Sequence, residues 1–243
     1  MRIISRLDIK QNDLIKAVMF DGVRKVGQPA DFAKTYYDNN IDELMLINNT
    51  GSLYNTKLDR NIIEVIRNDK AIPISGGGGI NTYEDSMHLI ESGCDKVVIN
   101  TLIHRNKKEV KKIIDTLGSS SVTGAIQFEK RDGKLISLFE MARETNFVTL
   151  NETLRIYEDL GIGEVLLTDV SRDGCYSGLN PYIQDEINNF YNKMPILLGG
   201  GFFNKKEFNL YKGLLSGIVI SSAFHYQKVN LNDIIDYRNN IIY

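Results

Sequence analysis

The chain has 243 residues, of which 42% are hydrophobic and 25% are charged, and its formal net charge is −2. These values are typical of a globular protein and give no electrostatic reason to predict binding to nucleic acid or to an anionic membrane. No apolar run approaches the roughly 18 residues of a membrane span, the first residues lack the pattern of a signal peptide, and the two cysteines lack metal or disulfide spacing, so we expect a cytoplasmic protein.

Short runs rich in isoleucine, valine and leucine alternate along the chain with amphipathic segments, as strands alternate with helices in an α/β protein. Several runs are continuously apolar, which is typical of parallel strands covered by helices. The apolar runs predict eight strands, near residues 2–8, 43–48, 72–75, 96–100, 122–128, 164–169, 195–198 and 217–221. The amphipathic segments predict eight helices, over residues 29–39, 58–69, 82–93, 105–117, 150–160, 182–193, 204–214 and 231–239.

The second half of the chain repeats features of the first. Pro73-Ile74 and Gly77-Gly78-Gly79 return about half a chain later as Pro195-Ile196 and Gly199-Gly200-Gly201. A repeat this long indicates a duplicated half-domain rather than a short-period solenoid.

Eight strand–helix units in a chain of about 250 residues are typical of a closed (β/α)8 barrel. An open doubly wound sheet is the alternative, but two four-unit halves favour the closed form because they can join with two-fold symmetry. The sequence therefore predicts one TIM-barrel domain over residues 1–243, with half-barrels near 1–120 and 121–243.

Glycine-rich loops follow the third and seventh predicted strands. Gly78 and Gly79 are followed one strand later by Asn100-Thr101, and Gly200-Gly201 is followed by Ser221-Ser222. Glycine lets backbone N–H groups approach a ligand closely, and such groups bind phosphate. Glycines can also simply form tight strand–helix turns. Because the two loops match in both halves, we interpret them as two phosphate-binding cradles for a small molecule phosphorylated at each end.

Four residues are the candidates for chemistry at the carboxyl ends of the strands. Asp8 ends the first predicted strand, Lys16 lies in the following loop, and Asp173 follows the sixth strand. Gln127 is the counterpart of Asp8 in the second half, and an amide cannot donate a proton as an acid near neutral pH. The histidines are interpreted as packing or surface residues, and no acidic or histidine cluster has metal-ligand spacing, so no metal or other cofactor is expected.

Taken together, these motifs resemble the HisF family, the cyclase subunit of imidazole glycerol phosphate synthase, along nearly the whole chain. The related isomerase HisA shares the repeat and the cradles, but three of the pieces, at residues 2–4, 163–164 and 224–225, favour HisF. The matching pieces are Arg2-Ile3-Ile4, Leu7-Asp8, Leu14-Ile15-Lys16, Asp42-Glu43-Leu44, Gly77-Gly78-Gly79-Ile80, the segment from Asp95 to Thr101, the segment from Gly163 to Thr168, Arg172-Asp173-Gly174 and Phe224-His225.

The resemblance implies an enzyme, a lyase of histidine biosynthesis that has a HisH-like glutaminase as its partner in a heterodimer. The barrel would use ammonia from that partner to convert the bisphosphate PRFAR to imidazole glycerol phosphate and AICAR. It implies that Asp8 is one catalytic aspartate and that Gln127 replaces the other. The substrate-contacting positions would be Lys16, Asn100, Thr101, Thr168, Asp173 and Ser222.

A second set of charged residues matches the ring that gates ammonia entry at the bottom of the barrel. These residues start the first, second, fourth and sixth strands, and they are Arg2, Glu43, Lys96 and Glu164. Charges at strand starts are often only solvated, but two cations and two anions at these four positions can pair around the barrel axis. Asp95 matches a position on the side that faces the glutaminase.

Three positions depart from the family pattern, namely Gln127 and Asn48 where aspartates are expected and Gly199 where a serine is expected. These departures leave three hypotheses open. The chain is the histidine-pathway cyclase, or a HisF-like paralogue that passes ammonia to a sugar amidotransferase for acetamidino-sugar synthesis, or a non-catalytic scaffold or regulator of a glutaminase. The two amides favour the second hypothesis modestly, whereas the family resemblance favours the first.

Overall fold

The computed structural model describes residues 1–68, 71–189 and 194–242. Within these ranges the chain forms eleven strands. In chain order they are β1 (Arg2–Lys10), β2 (Asp13–Val18), β3 (Asp21–Gly27), β4 (Glu43–Asn48), β5 (Ile74–Gly77), β6 (Lys96–Ile99), β7 (Val122–Arg131), β8 (Lys134–Leu138), β9 (Glu164–Asp169), β10 (Ile196–Gly199) and β11 (Gly217–Ile220).

Eight of these strands are parallel and close into a barrel. They pair in the order β1, β4, β5, β6, β7, β9, β10 and β11, and β11 pairs again with β1. Ile4 lies opposite Glu43 on one side of β1, and Ile3 lies opposite Ile218 on the other. The predicted (β/α)8 TIM-barrel fold is confirmed.

Helices cover the outside of the barrel and connect its strands. They are α1 (Pro29–Asp38), α2 (Gly51–Tyr54), α3 (Arg60–Arg67), α4 (Tyr83–Glu91), α5 (Thr101–Arg105), α6 (Lys107–Leu117), α7 (Leu150–Leu160), α8 (Ile183–Asn189), α9 (Glu207–Leu210), α10 (Ser222–His225) and α11 (Leu231–Ile242). Helices α4 and α7 begin with capping boxes, in which the Thr82 and Thr149 side chains accept hydrogen bonds from the backbone N–H of Asp85 and Glu152.

Most predicted helices agree with the structure to within two residues at each end. The helix predicted over 204–214 is shorter, because only Glu207–Leu210 is helical there. The helix predicted from residue 105 begins at Lys107, after the separate short helix α5. Predicted helical positions 69 and 190–193 lie outside the described residues.

The barrel strands separate two apolar layers. Ile3, Leu7 and Ile9 on β1 pack outward against the helices, in the larger core. Ile4 points to the barrel interior, where it packs with Met45, Val98, Leu166, Leu197 and Val219. Because side chains alternate along a strand, Arg2, Arg6 and Asp8 lie on the same interior side as Ile4. One strand therefore supplies charged groups to both ends of the barrel.

Three strands outside the barrel were not expected from the sequence. Strands β2 and β3 form a hairpin whose first strand pairs antiparallel with β1, and β8 pairs antiparallel with β7. Lys16 therefore lies on β2 rather than in a loop, which corrects the prediction. The pairing of Asp8 with Ile15 brings β2 alongside the end of β1, so that Lys16 lies close to Asp8. No helix in the described ranges is long and apolar enough to span a membrane.

Candidate active site

The carboxyl ends of the barrel strands, called the mouth here, carry two glycine cradles with matching backbone geometry. In the first cradle Gly78 and Gly79 have φ angles of 91° and 75°, and in the second Gly200 and Gly201 have φ angles of 91° and 94°. A Cβ atom on Gly78 would lie 2.1 Å from the carbonyl oxygen of Asn48. The left-handed backbone and the close approach both require glycine, so the two halves repeat the same turn.

Two cavities open at the mouth, one beside each cradle. The smaller, of about 400 Å³, lies beside the second cradle, and the larger, of about 650 Å³, lies beside the first. Ser221 and Ser222 line the smaller cavity, and Asn100 and Thr101 line the larger. The Ser222 hydroxyl is buried and has no hydrogen-bond partner among the described residues, so it is available to a ligand.

Three of the four residues that were predicted to take part in chemistry, Asp8, Lys16 and Asp173, lie together at the mouth. They form a chain of ion pairs that also includes Arg6. The Asp8 carboxylate accepts a hydrogen bond from Arg6 Nε at 2.7 Å and another from Lys16 Nζ at 2.9 Å. Lys16 Nζ also donates to Asp173, at 3.1 and 3.3 Å from its two carboxylate oxygens. We call these four residues the mouth cluster. Each of their side chains is at most 10% exposed.

Two members of the mouth cluster, Asp8 and Lys16, are held in their charged forms. Burial is the largest single influence on Asp8 and opposes its ionisation, but Arg6 and Lys16 together outweigh burial and lower the pKa of Asp8 below its ordinary value. Burial likewise opposes the charge on Lys16, but Asp173 and Asp8 outweigh it and raise the pKa of Lys16. At neutral pH Asp8 is thus a carboxylate that can stabilise positive charge or accept a proton, but has none to donate.

Gln127 does not join the mouth cluster. Its carbonyl oxygen accepts a hydrogen bond from the backbone N–H of Ala142, at 2.6 Å. Ala142 ends a run of three consecutive residues with left-handed φ angles, from Glu140 to Ala142, in the loop after β8. Gln127 lines the larger cavity, but it does not end its strand, because β7 continues to Arg131. Asp8 was also predicted to end its strand, and this was wrong, because β1 continues to Lys10.

The other predicted substrate-contacting residues line the cavities from several strands. Thr168 lines both cavities and is almost fully buried. The Asn100 side chain donates to the backbone carbonyl of Ala125 at 2.7 Å, and the Thr101 hydroxyl accepts from the backbone N–H of Glu140 at 3.3 Å. Ser221 Oγ lies 3.1 Å from Nε2 of His225. The structure therefore brings all the predicted substrate-contacting residues to the mouth.

At the opposite end of the barrel, called the base, the four predicted gate residues form a closed ring of ion pairs, the base ring. Arg2 donates to Glu43 at 2.6 Å and also pairs with Glu164. Lys96 lies 3.2 Å from Glu164 and 3.8 Å from Glu43. The two glutamates are nearly buried, whereas the side chains of Arg2 and Lys96 are 32% and 21% exposed. The ring spans the barrel axis below the interior apolar layer.

Asp95 lies near the base but has a structural role in this chain. Its carboxylate accepts a hydrogen bond from the backbone N–H of Ile74 at 2.8 Å and pairs with Arg67. About half of the side chain remains exposed. The residue therefore fixes the start of β5 while leaving one side open to a partner.

The sequence prediction missed Arg6 as a part of the mouth, whereas His225 is a buried packing residue behind Arg6, as was expected of the histidines. His225 accepts a hydrogen bond from the Tyr36 hydroxyl at 2.5 Å and lies 3.0 Å from the carbonyl oxygen of Arg6. Burial, followed by the charge of Lys16, lowers the pKa of His225 to about 4, so the ring is neutral. The alternation of side chains along β1 was the signal that could have found Arg6, since it lies two residues before Asp8.

No group of three or more histidine, cysteine or acidic side chains could hold a metal ion in the part of the chain that the structure describes. The mouth instead presents glycine backbone, hydroxyl and amide groups, with a few paired charges. This donor set suits an oxygen-rich anion such as a phosphate ester.

Comparison with known proteins adds a family to this geometry. The family described as "Histidine biosynthesis protein" matches residues 2–230. The chain is 32% identical over 210 residues to the imidazole glycerol phosphate synthase subunit HisF of Legionella pneumophila. The aligned segment covers 86% of this chain and 99% of the Legionella protein. The chain is 30% identical over 239 residues to the HisF subunit of Thermotoga sp. (strain RQ2), covering 97% and 93%. It is 29% identical over 235 residues to that of Pyrococcus furiosus, covering 96% and 93%.

Proposed function

The chain belongs to the HisF family of histidine biosynthesis proteins, and on that premise we propose that it is the cyclase subunit of an imidazole glycerol phosphate synthase. In this proposal a HisH-like glutaminase forms a heterodimer with the chain and releases ammonia at the base of the barrel. The mouth holds PRFAR, which reacts with the ammonia to give imidazole glycerol phosphate and AICAR.

The observation that carries this proposal is the matched pair of cradles at one end of the barrel. Each has two left-handed glycines, and each opens on its own cavity. A bisphosphate would bind with one phosphate in each cradle and its reacting carbons between them. Thr168 lines both cavities and lies at this central position, while Asp8 and Lys16 lie just behind it, hydrogen-bonded to Arg6 and Asp173 of the cavity walls. The glycine backbone lines both cavities, and the unpaired Ser222 hydroxyl adds a donor that a phosphate needs.

The base ring supports an ammonia route into the barrel from the other end. Lys96 makes the longest ion pair of the ring, at 3.8 Å from Glu43, so a swing of its side chain would open the ring with the least loss of contact. Above the ring the interior is lined by apolar residues such as Ile4, Met45 and Leu166. Neutral ammonia can cross an apolar layer, whereas an ammonium ion would lose its hydration there.

Ring closure by ammonia also requires proton transfers as the amine adds and water leaves. In the proposed site Asp8 accepts a proton and the Lys16 ammonium stabilises a developing oxyanion. Gln127 supplies no proton and is already bonded to the backbone of Ala142. The proton donor is therefore water or the substrate itself, and we expect slow turnover compared with a site that has a second carboxyl group.

A second candidate function is favoured by this missing proton donor. Gln127 and Asn48 are both neutral amides that line the larger cavity. A HisF-like paralogue that only conducts ammonia, for use by a sugar amidotransferase, would keep the base ring and the cradles but would not require an acid–base pair. The two candidates therefore differ in whether the barrel itself catalyses ring closure.

The test is the formation of AICAR from PRFAR and an ammonium salt by the purified chain. Turnover by the natural sequence supports the cyclase proposal. We expect Gln127→Asp to raise the rate, because it adds the second carboxyl group. Gln184→Asp, on helix α8 and in the lining of neither mouth cavity, is the matched control and should leave the rate unchanged. A complete absence of turnover in the natural chain, with recovery in Gln127→Asp, would contradict the cyclase proposal and favour the ammonia-conducting paralogue.

The gate part of the proposal has its own test in the assembled complex with the glutaminase. Lys96→Ala should disturb the activity that depends on glutamine while leaving the activity with ammonium salt unchanged, because added ammonia can reach the mouth directly. If both activities of Lys96→Ala equal those of the natural chain, the base ring is not a gate.

A further inference from the structure

Arg6 occupies the centre of the mouth, and the function proposed above gives it no contact with the ligand. It lies on the interior face of β1 and is only 7% exposed. Arg6 lines both cavities, and Thr168 is the other residue that the two linings share in the described part of the chain. The guanidinium group therefore lies in the wall between the two cradles, where the middle of a bound ligand would lie.

The guanidinium is held in place, but its hydrogen-bonding capacity is not used up. Nε donates to Asp8 at 2.7 Å and Nη2 donates to Asn49 at 3.3 Å. Nη1 makes no hydrogen bond to any described residue, and the ring of Phe20 lies 5.7 Å from the guanidinium carbon. A guanidinium has five donors, so this fixed group retains donors for a ligand oxygen.

The charges around Arg6 favour an anion. Among the described residues that line the larger cavity Arg6 is the one with a charge, because Asn48, Asn49, Asn100 and Gln127 are amides. In the smaller cavity Asp173 is the one carboxylate of the described lining, and Lys16 pairs with it. Asp8 pairs with Arg6 and Lys16 but lines neither cavity, so the charge that faces the larger cavity is that of Arg6.

We infer that Arg6 binds an anionic oxygen group in the middle of the ligand and so selects its charge. The ligand class is a phosphate ester that carries a carboxylate, or another anionic oxygen, a few bonds from the phosphate. A cationic group at the same place is disfavoured. The inference rests on the proposed phosphate-binding role of the cradles and is independent of ring closure. PRFAR is neutral between its two phosphates, so a phosphate ester with a carboxylate would be a second class of ligand for the mouth.

Arg6 could instead serve only as the counter-ion that makes the buried Asp8 tolerable. That role would affect the stability of the fold and would weaken all ligands alike. Charge selection has a different signature, because it changes the ratio of affinities between ligands that differ only in the charge of one group. The experiment therefore measures that ratio.

The probes are glycerol 3-phosphate, 3-phosphoglycerate and phosphoethanolamine, which combine a phosphate ester with a neutral, an anionic and a cationic end. Calorimetric titration of the full chain with each probe gives three dissociation constants. We expect 3-phosphoglycerate to bind about tenfold more tightly than glycerol 3-phosphate, which is the size of one hydrogen bond to a charged group. Phosphoethanolamine should bind most weakly.

In Arg6→Met the preference for 3-phosphoglycerate should fall to less than twofold, while Arg6→Lys should keep most of it. Arg60→Met, on the exposed face of α3, is the matched control and should keep the full preference. Thermal unfolding of each variant tests whether it is folded. If Arg6→Met does not fold, the comparison of Arg6→Lys with the natural chain still measures the preference.

Equal affinities for the three probes in the natural chain would overturn the inference, as would a preference that survives in Arg6→Met. If none of the probes binds, the inference is also wrong. Turnover of PRFAR alongside any of these results would leave the cyclase proposal standing. Conversely, charge selection without turnover would support the inference and contradict the cyclase proposal.

Discussion

The two ends of the barrel carry charge clusters of the same composition, each with two cations and two anions, but they are connected differently. The base ring is closed, since each glutamate pairs with both Arg2 and Lys96. The mouth cluster is an open chain from Arg6 through Asp8 and Lys16 to Asp173. In the closed ring every member has two partners of opposite charge. In the open chain the two end members, Arg6 and Asp173, each have one such partner in the cluster and can form a further ion pair or hydrogen bond.

Burial differs between the two clusters as well. The cations of the base ring are 32% and 21% exposed, whereas those of the mouth cluster are 8% and 3% exposed. A partly exposed cation that loses its partner is hydrated again, while a buried one is not. The difference indicates that the base ring can open and close at low energetic cost, while the mouth cluster forms a rigid platform.

The sharpest test of this contrast removes the shared anion of the mouth. Asp8→Asn should lower the free energy of unfolding by about 3–5 kcal/mol, because Arg6 and Lys16 are then buried cations without the carboxylate that joins them. Urea denaturation measures the change. The control is Asp13→Asn on the hairpin, whose pair with Lys25 is well exposed, and it should change stability by less than about 0.5 kcal/mol. A loss below about 1 kcal/mol for Asp8→Asn would contradict the platform description.

Acid should destabilise the fold through His225, which lies behind the mouth. The folded pKa of His225, about 4, lies below its ordinary value of 6.5, so the unfolded chain takes up the proton first as the pH falls. The contribution of neutral His225 to the free energy of unfolding is fully present above pH 6.5. It is lost as the pH falls to about 4, by up to about 3 kcal/mol. Asp8, whose pKa is lowered from 3.8, loses its contribution only at still lower pH.

The measurement for this prediction is the free energy of unfolding between pH 7 and pH 4.5. His225→Gln should flatten the dependence, and the remaining slope belongs to His104, whose pKa burial also lowers to about 4. His88→Gln, on helix α4, serves as the control. An unchanged slope in His225→Gln would show that the buried imidazole does not limit stability in acid.

At the base, removal of an anion should be milder. Glu164→Gln should cost about 1–2 kcal/mol, less than half the effect of Asp8→Asn, because Arg2 and Lys96 keep Glu43 as a partner and reach solvent. Urea denaturation of the two variants under the same conditions gives the comparison. An equal loss in both would mean that exposure of the cations does not distinguish the two clusters.

The smallest expected effect is the response to salt. Lys96→Met should destabilise the fold by less than about 1 kcal/mol at low ionic strength, and the loss should disappear in 1 M salt, where screening acts over about 3 Å. Lys16→Met should lose the same stability in both solutions, since its charge is buried. A salt-dependent loss in Lys16→Met would show that solvent reaches the mouth cluster.

Much of the barrel could be predicted from the sequence because its strands are continuously apolar and its halves repeat. The cradles were predicted because glycine-rich loops recur at matching positions in both halves, and Gly78 and Gly200 do adopt left-handed backbone. The base ring was found from the resemblance and not from the residues alone, since a charge at a strand start does not reveal its partner.

The hairpin β2–β3 was missed because its turn lacks the usual signals. Met19 and Phe20 adopt left-handed φ angles of 50° and 63° there, where glycine or asparagine is the common choice. The turn before β8 did carry a signal, Asp132-Gly133, which is typical of a two-residue hairpin. The position of Lys16 depended on the first of these hairpins, so its contact with Asp173 could not be predicted.

Strand β1 has a consequence for folding itself. It carries Arg2, Ile4, Arg6 and Asp8 on its interior face, and it closes the barrel against β11. Its register with the neighbouring strands therefore determines the position of these four side chains along the barrel interior. A shift by two residues would move an arginine into the apolar layer beside Met45 and Leu166, and a shift by one would turn every charge toward the helices. Either misalignment buries unpaired charge at a cost of several kcal/mol. The same charges that equip both ends of the barrel therefore also select the one alignment in which it closes.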